Sequence, residues 1–534
     1  MLRVALTPQL VRFIGGVLFL VLPGSALAQE RGGTLTIGLG YEIDTMNPYA
    51  TGYLGDAQAT VLEGLVAPDS NAQYVPVLAT EVPTLENGGI ELAEDGETMT
   101  ITYKLREGVL WSDGEPFTSA DVAFTWEAVK NPDFLAESKD GTDDVTSIET
   151  PDPLTAIVHY NTVAPDFAST LFTFGILPQH VLEGQDLNTS SFNQTPIGTG
   201  PFMVTEYQAG QYVVLDRNPN YWDTAEDGTQ LPYLDRLVFR IITDSNTLVT
   251  QLKSGELDMA YGVLYSQIPG FEQQEGVRVI ANKTLSWQHL DFNLANPLLD
   301  DLSVRQAFAH AIDKNTIAQA LGGYPQVIDT VVVPLFPFSD ADVTTYAYDV
   351  DEANRLLDEA GYILGDDGVR VDSEGNRLSF NILTQAGRTE YETAQQVMVA
   401  NLKAVGVELV PNNQSGVAYT QARYDGDYDL FYAGWITPAD PNYAIFYETG
   451  GALNSQGYSN PELDAVLEDA NSTIEPDARA DFLRQFQEIL MTDIPTLPIV
   501  SGPSMIVVTD RLQNFEPNPT NMTNFVHTSN WYLQ

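Results

Sequence analysis

The 534-residue sequence contains no cysteine. Disulfides are excluded, and so is a lipid anchor on an N-terminal cysteine. Basic residues are scarce. The chain has 24 Lys and Arg against 73 Asp and Glu, a formal charge of −49. Such a field repels nucleic acid and anionic lipid, so neither is an expected partner. The acids are spread along the chain and read as a solvated surface. Histidine is rare too, at positions 159, 180, 289, 310 and 527, with no metal-ligand spacing. No segment after the N-terminus approaches 18 uninterrupted apolar residues, so no membrane span is expected. The G-x-S-x-G, H-E-x-x-H and P-loop motifs are missing. "GTG" at residues 198–200 lacks a third spaced glycine and runs into the strand-like "PFMVTEY", so it is not a phosphate cradle. There is no repeat of 20–50 residues and no low-complexity tract, which argues against a structural array.

What the sequence does contain begins with a processing signal. Arg3 and Arg12 precede the ten-residue apolar run "FIGGVLFLVL", and Ala26 and Ala28 stand in A-x-A spacing. Export with cleavage after Ala28 is expected. The mature chain would then hold 22 basic and 73 acidic residues, net −51. At this length several domains are expected. Hydrophobic residues make up 43%, enough to build real cores.

Strand and helix signals are mixed, so the fold class is α/β or α+β. "GTLTIGLG" and "TMTITYKL" alternate with period two. "TSADVAFTWEAVKNP" reads as a helix, with a capping box at Thr118 and Asp121 and a stop at Asn131-Pro132. "VDEANRLLDEAGY" closes on Gly361, and "NPELDAVLEDA" has Asn460 as N-cap and Pro461 at the first helical position. "GDDGVRVDSEGNRLSF" lacks calcium-loop spacing and is read as turns around short strands.

Several blocks occur in a fixed order: "LTIGLGYEIDTMNPY", "VLEGLVAPD", "YKLREGVLWSDGEPFTSADVAFTWEAV", "PIGTGPFMVTEYQAGQYVVLDRNPNYWD", "SGELDMAYG", "VRQAFAHAIDK", "DLFYAGWITPADP" and "YSNPELDAVLEDA". Over nearly all of the mature chain this resembles the peptide/nickel class of periplasmic solute-binding proteins of ABC importers, extracellular solute-binding family 5. The resemblance implies a two-lobed α/β clamp with an extra domain. It divides this sequence into a signal peptide (1–28), lobe I (29–64, 193–283 and 503–534), an extra domain II (65–192) and lobe III (284–502). The hinge would lie near residues 283 and 502. The implied role is a non-enzymatic, monomeric binding protein that closes on its ligand and delivers it to a membrane permease and its ATPases. No cofactor or metal is implied.

The resemblance also names candidate ligand residues. Arg423 matches a cleft arginine that could meet a ligand carboxylate, with a surface ion pair to Asp425 or Asp427 as the plainer alternative. Tyr261, Trp287 and His289 fall at cleft or hinge positions, Tyr432 stands where some relatives carry another basic residue, Trp435 ends a strand where the cleft would open, Tyr419 is a further ligand candidate, and Tyr49 and Tyr53 lie on the loop lining the cleft. For each aromatic, core packing is the alternative. Many peptide-binding relatives place an aspartate soon after "GW" to pair with a free amine. Here Thr437 and Pro438 stand there, and Asp440 aligns with a later position. A peptide or peptide-like solute is the first expectation. An oligosaccharide stacking on aromatics is the alternative, a secreted hydrolase a third reading, and nickel is disfavoured by one plausible histidine and no cysteine.

Overall fold

Three sheets organise the chain, described here from a computed structural model that covers residues 31–51, 55–520 and 525–534. The expected cleavage site after Ala28 and the candidate Tyr53 lie outside the described residues. A seven-stranded sheet runs in the order Val277–Asn282, Ser504–Thr509, Met259–Ala260, Thr34–Leu39, Arg236–Ile241, Tyr212–Arg217, Phe202–Gln208. Thr34–Leu39 pairs parallel with both neighbours. A six-stranded sheet runs Gln326–Val327, Thr496–Ser501, Ser286–Phe292, Leu430–Ile436, Ser379–Gln385, Glu408–Gln414. A four-stranded antiparallel sheet of Ile90–Leu92, Met99–Lys104, Thr155–Tyr160 and Val145–Asp152 stands between two segments of the first.

Local sequence explains these elements. Leu35, Ile37 and Leu39 are all buried, as are Met99, Ile101 and Tyr103, so each alternating strand turns its apolar side inward. The Ser119–Lys130 helix begins on the capping box: Thr118 accepts from Ala120 N, and the Asp121 carboxylate accepts from Thr118 N at 2.9 Å. Val350–Glu359 ends before Gly361, whose φ of +91° few other residues adopt. In Pro461–Ser472, Asn460 caps, Pro461 opens, and Leu463, Val466, Leu467 and Ala470 form the buried stripe. "GTG" proves to be a close backbone approach. Gly200 N donates to Val61 O at 2.9 Å, and a Cβ on Gly198 would fall 1.8 Å from that oxygen. In "VDSEGN" the Asp372 carboxylate accepts from Glu374 N and Asn376 N, an Asx turn.

One core is shared by the seven- and four-stranded sheets. It holds Ile37, Leu237 and Phe239 from the first, with Ile101, Ala156 and Val158 from the second. The six-stranded sheet has cores on both sides of it. The chain passes from the seven- to the six-stranded sheet between Asn282 and Ser286 and returns between Ser501 and Ser504. These two crossings touch: Thr284 Oγ1 donates to Gly502 O at 2.8 Å. Among the described residues no helix is long and apolar enough to cross a membrane.

Candidate functional site

The centre of the site is the Leu430–Ile436 strand. It is antiparallel to Ser286–Phe292 along its whole length, from Ser286 opposite Ile436 to Phe292 opposite Leu430. On its other side only Leu430 and Phe431 meet a strand, at Ile382 and Leu383. Thr384 Oγ1 still reaches Tyr432 O at 2.8 Å. Residues 433–436 therefore carry an edge with no strand partner among the described residues. The Tyr391 hydroxyl stands against Gly434, where a Cβ would come within 2.8 Å of it. A side chain there would have to displace that hydroxyl.

The Gly416–Tyr424 helix lays Arg423 over this strand end. The guanidinium lies 4.1 Å from the Trp435 ring centroid and 5.9 Å from that of Phe431. Arg423 is only 9% exposed, yet its Nε and Nη2 have no hydrogen-bond partner. It makes no ion pair among the described residues, so neither Asp425 nor Asp427 neutralises it. A buried cation left in this state is costly, and its natural complement is an anion from outside. Arg388 sits nearby at the start of the Thr389–Ala404 helix. Its guanidinium is 5.9 Å from the Tyr391 ring and bonds Gln385, and it forms no ion pair among the described residues. Arg423, Arg388 and Tyr391 all act on the half-buried Tyr419 hydroxyl, whose pKa burial pushes up to about 12.

The remaining candidates divide. His289 is fully buried, with Nδ1 2.7 Å from Asp291 Oδ1 and Nε2 unpartnered. Its ring lies 4.6 Å from Trp287 and 6.1 Å, nearly parallel, from Trp435. Trp287 is fully buried with an unpartnered indole N–H. Trp435 is half-buried, and Arg423, His289 and Phe446 pack on it. Tyr261 belongs to the other lobe. Its ring packs on Phe515 and Phe525, and its buried hydroxyl is unpartnered.

Four candidates have other duties. Tyr49 is 2% exposed, and its single hydroxyl proton is shared between Leu171 O and Gly175 O. Expected on the cleft, it instead ties its loop to the interior, where those carbonyls need a donor. Tyr432 is fully buried and bonds Gln288 at 2.6 Å, because its strand position faces the opposite core. Thr437 donates to Leu285 O through its N–H and hydroxyl, joining the strand end to the crossing. The Asp440 carboxylate is bound by Arg479, and its backbone N–H donates to Ser169 Oγ at 3.2 Å. Sequence reasoning did not single out Arg388, Tyr391, Ser169 or Arg479. "QAGRTEY", an arginine and a tyrosine at a helix start, was the one local signal for the first two.

Residues 73–457 match the model of the bacterial extracellular solute-binding proteins, family 5 Middle. The chain is 32% identical over 374 residues to a putative ABC transporter peptide-binding protein of Brucella abortus (strain 2308), covering 67% of each. It is 26% identical over 534 residues to the oligopeptide-binding protein AppA of Bacillus subtilis, covering 95% of this chain and 93% of that one. Among solved structures, NikZ from Campylobacter jejuni in complex with Ni(L-His) aligns with a TM-score of 0.78 at 27% identity, over 93% of this chain and 99% of the other. The two-lobed α/β fold expected from the sequence blocks is the fold of these structures, and the chain belongs to family 5 of the bacterial extracellular solute-binding proteins.

Proposed function

We propose that this chain is the capturing subunit of an ABC importer and that its solute is an extended peptide with a free carboxylate. The observation that carries the reading is Arg423, a buried guanidinium with two unpartnered nitrogens beside an unpaired strand edge. An extended peptide laid along residues 433–436 gains main-chain hydrogen bonds regardless of its sequence. Its carboxylate then meets Arg423, with Arg388 and the Tyr419 hydroxyl close by. AppA and the Brucella relative are named as peptide-binding proteins, which agrees with this reading. Trp435, Trp287 and His289 act as the packed bed that aims Arg423. Tyr261 offers a hydroxyl from the facing lobe. A sugar would need an open face on Trp435, and that ring is already occupied by Arg423, His289 and Phe446. No acid stands free for a ligand amine at Asp440, since Arg479 holds that carboxylate.

The division of the chain near residues 64, 192, 283 and 502 belongs to the same reading. The joints near 283 and 502 are supported by the change of sheet between Asn282 and Ser286 and between Ser501 and Ser504. The exported chain acts as a periplasmic monomer, freed by cleavage after Ala28 and held by no lipid anchor. It docks on the permease through the rims of both lobes. Native mass spectrometry of protein purified without unfolding tests the ligand class. A retained mass that fragments as a peptide is expected. Hexose increments in the retained mass would overturn the peptide reading.

A further inference from the structure

Trp287, His289 and Asp291 alternate along the Ser286–Phe292 strand and so stand on one face of it. Their antiparallel partners Trp435, Ala433 and Phe431 share that face. On the strand's other edge Pro498 stands opposite His289, and Thr496 opposite Asp291. Both His289 and Asp291 are buried, with Nδ1 2.7 Å from Asp291 Oδ1. The small Ala433 leaves the His289 ring room to lie nearly parallel to Trp435 at 6.1 Å and 6.2 Å from Phe431. Arg423 stacks on the same two rings, at 4.1 Å from Trp435 and 5.9 Å from Phe431. The imidazole and the guanidinium thus share their ring neighbours, close enough for their charges to act on one another through a dry interior. Asp291 and Arg423 also both act on the Tyr419 and Tyr428 hydroxyls.

We propose that His289 and Asp291 form a proton-accepting pair, which takes up a proton from solvent when a ligand carboxylate docks on Arg423. The proposal rests on the reading of Arg423 as the carboxylate's partner. A carboxylate only accepts, so Nδ1 carries the hydrogen shared with Asp291, and the unpartnered Nε2 keeps its lone pair in the ligand-free protein. Charge counting sets the direction. Without ligand, the positive charge of Arg423 and the negative charge of Asp291 cancel, although the two form no ion pair among the described residues. A docked carboxylate adds one negative charge to a poorly hydrated region, and a proton on Nε2 restores the balance. The neighbouring groups do not supply it. Burial pushes the Tyr419 hydroxyl up to about 12, and raises those of Tyr428 and Tyr447 as well, so all three stay neutral. Asp429 accepts from Asn296 and Asn381, bonds that favour its charged form. Asp425, Asp427 and Arg388 are exposed, and water screens them. The pair therefore sets specificity through Arg423. A carboxylate is taken together with a proton, whereas an amide brings no charge and takes up none. Because the carboxylate complex holds more protons than the free protein, its affinity rises as pH falls.

The probes are two pools of N-acetylated pentapeptides with uncharged side chains, one with a free and one with an amidated C-terminus. Refolded, ligand-free protein is titrated calorimetrically from pH 5.5 to pH 7.5, in two buffers of different ionisation enthalpy, which counts the protons taken up. With the free-carboxylate pool, uptake should peak at about half a proton or more, and binding should be about tenfold tighter at pH 5.5 than at pH 7.5. The amidated pool should take up none. Asp291→Asn lets Arg423 meet the carboxylate without a proton: uptake disappears, and affinity stays at the wild type's pH 5.5 level throughout. His289→Gln keeps the charge on Asp291 and offers no base: uptake disappears, and affinity stays at the wild type's pH 7.5 level. Thermal melting checks that each variant folds, and where one does not, the other decides together with the wild-type proton count. No uptake by wild type, uptake that survives in either variant, or equal weakening of binding in both overturns the pair and leaves the reading of Arg423 standing. A free-carboxylate pool that binds no better than the amidated one at any pH overturns that reading, and the pair with it.

Discussion

The indole N–H of Trp222 donates to the Glu63 carboxylate at 2.9 Å, and the Tyr221 hydroxyl reaches the same carboxylate at 3.2 Å. This joins "VLEG" to "RNPNYW", two blocks more than 150 residues apart. Glu63 is 7% exposed, and burial pushes its carboxyl up to about 7. Its folded form holds a proton that the unfolded chain has already lost. The stability this supplies is full below about pH 4.5 and drains away as pH rises to about 7, on the order of 3 kcal/mol in all. Glu63→Gln should match wild type in urea unfolding at pH 4 and exceed it at pH 8. A constant difference across that range would contradict this.

Trp435 carries packing from Arg423, His289 and Phe446 while remaining half-buried. Trp435→Ala should cost about 2–4 kcal/mol of stability, less than a fully buried tryptophan. Binding should fall with it, because Arg423 loses the ring beneath it. Thermal melting beside calorimetric titration reads both effects. Lost binding at unchanged stability would mean that the indole is a bare wall of the cleft.

Arg423 sets function against stability. Arg423→Met removes a buried charge that makes no ion pair among the described residues, and should raise the stability of the ligand-free protein by about 1 kcal/mol. Affinity for peptides with a free carboxylate should fall by about 2–3 kcal/mol. Destabilisation on this substitution would show that the guanidinium serves the fold.

Gly198→Ala should cost about 3 kcal/mol or more, since the new Cβ would stand 1.8 Å from a backbone oxygen that cannot swing aside. Equilibrium unfolding measures it, and a loss below 1 kcal/mol would contradict the close approach.

The sequence was most legible where the signal was local. The box at Thr118 and Asp121, the stop at Gly361 and the Asn460-Pro461 start each involve neighbours along the chain. Alternation in "GTLTIGLG" told which side of the strand would be covered. It could not tell what covers it, and for the same reason Tyr49 was assigned to the cleft and lies in the interior. Asp425 and Asp427 stood close to Arg423 in sequence, yet its helix turns the guanidinium onto Trp435 instead. Arg479 meets Asp440 across 39 residues, and Ser169 meets it across 271. No spacing rule reaches pairings that form only when a lobe folds or when the extra domain meets it.

The central claim is that an unpaired strand edge and a buried, unneutralised arginine together take an extended peptide by its carboxylate. Its most direct test is calorimetric titration of refolded, ligand-free protein with two pools of mixed pentapeptides, identical except for a free or an amidated C-terminus. The free-carboxylate pool should bind at least about 30-fold more tightly, the equivalent of about 2 kcal/mol. Equal affinity for the two pools would contradict the claim.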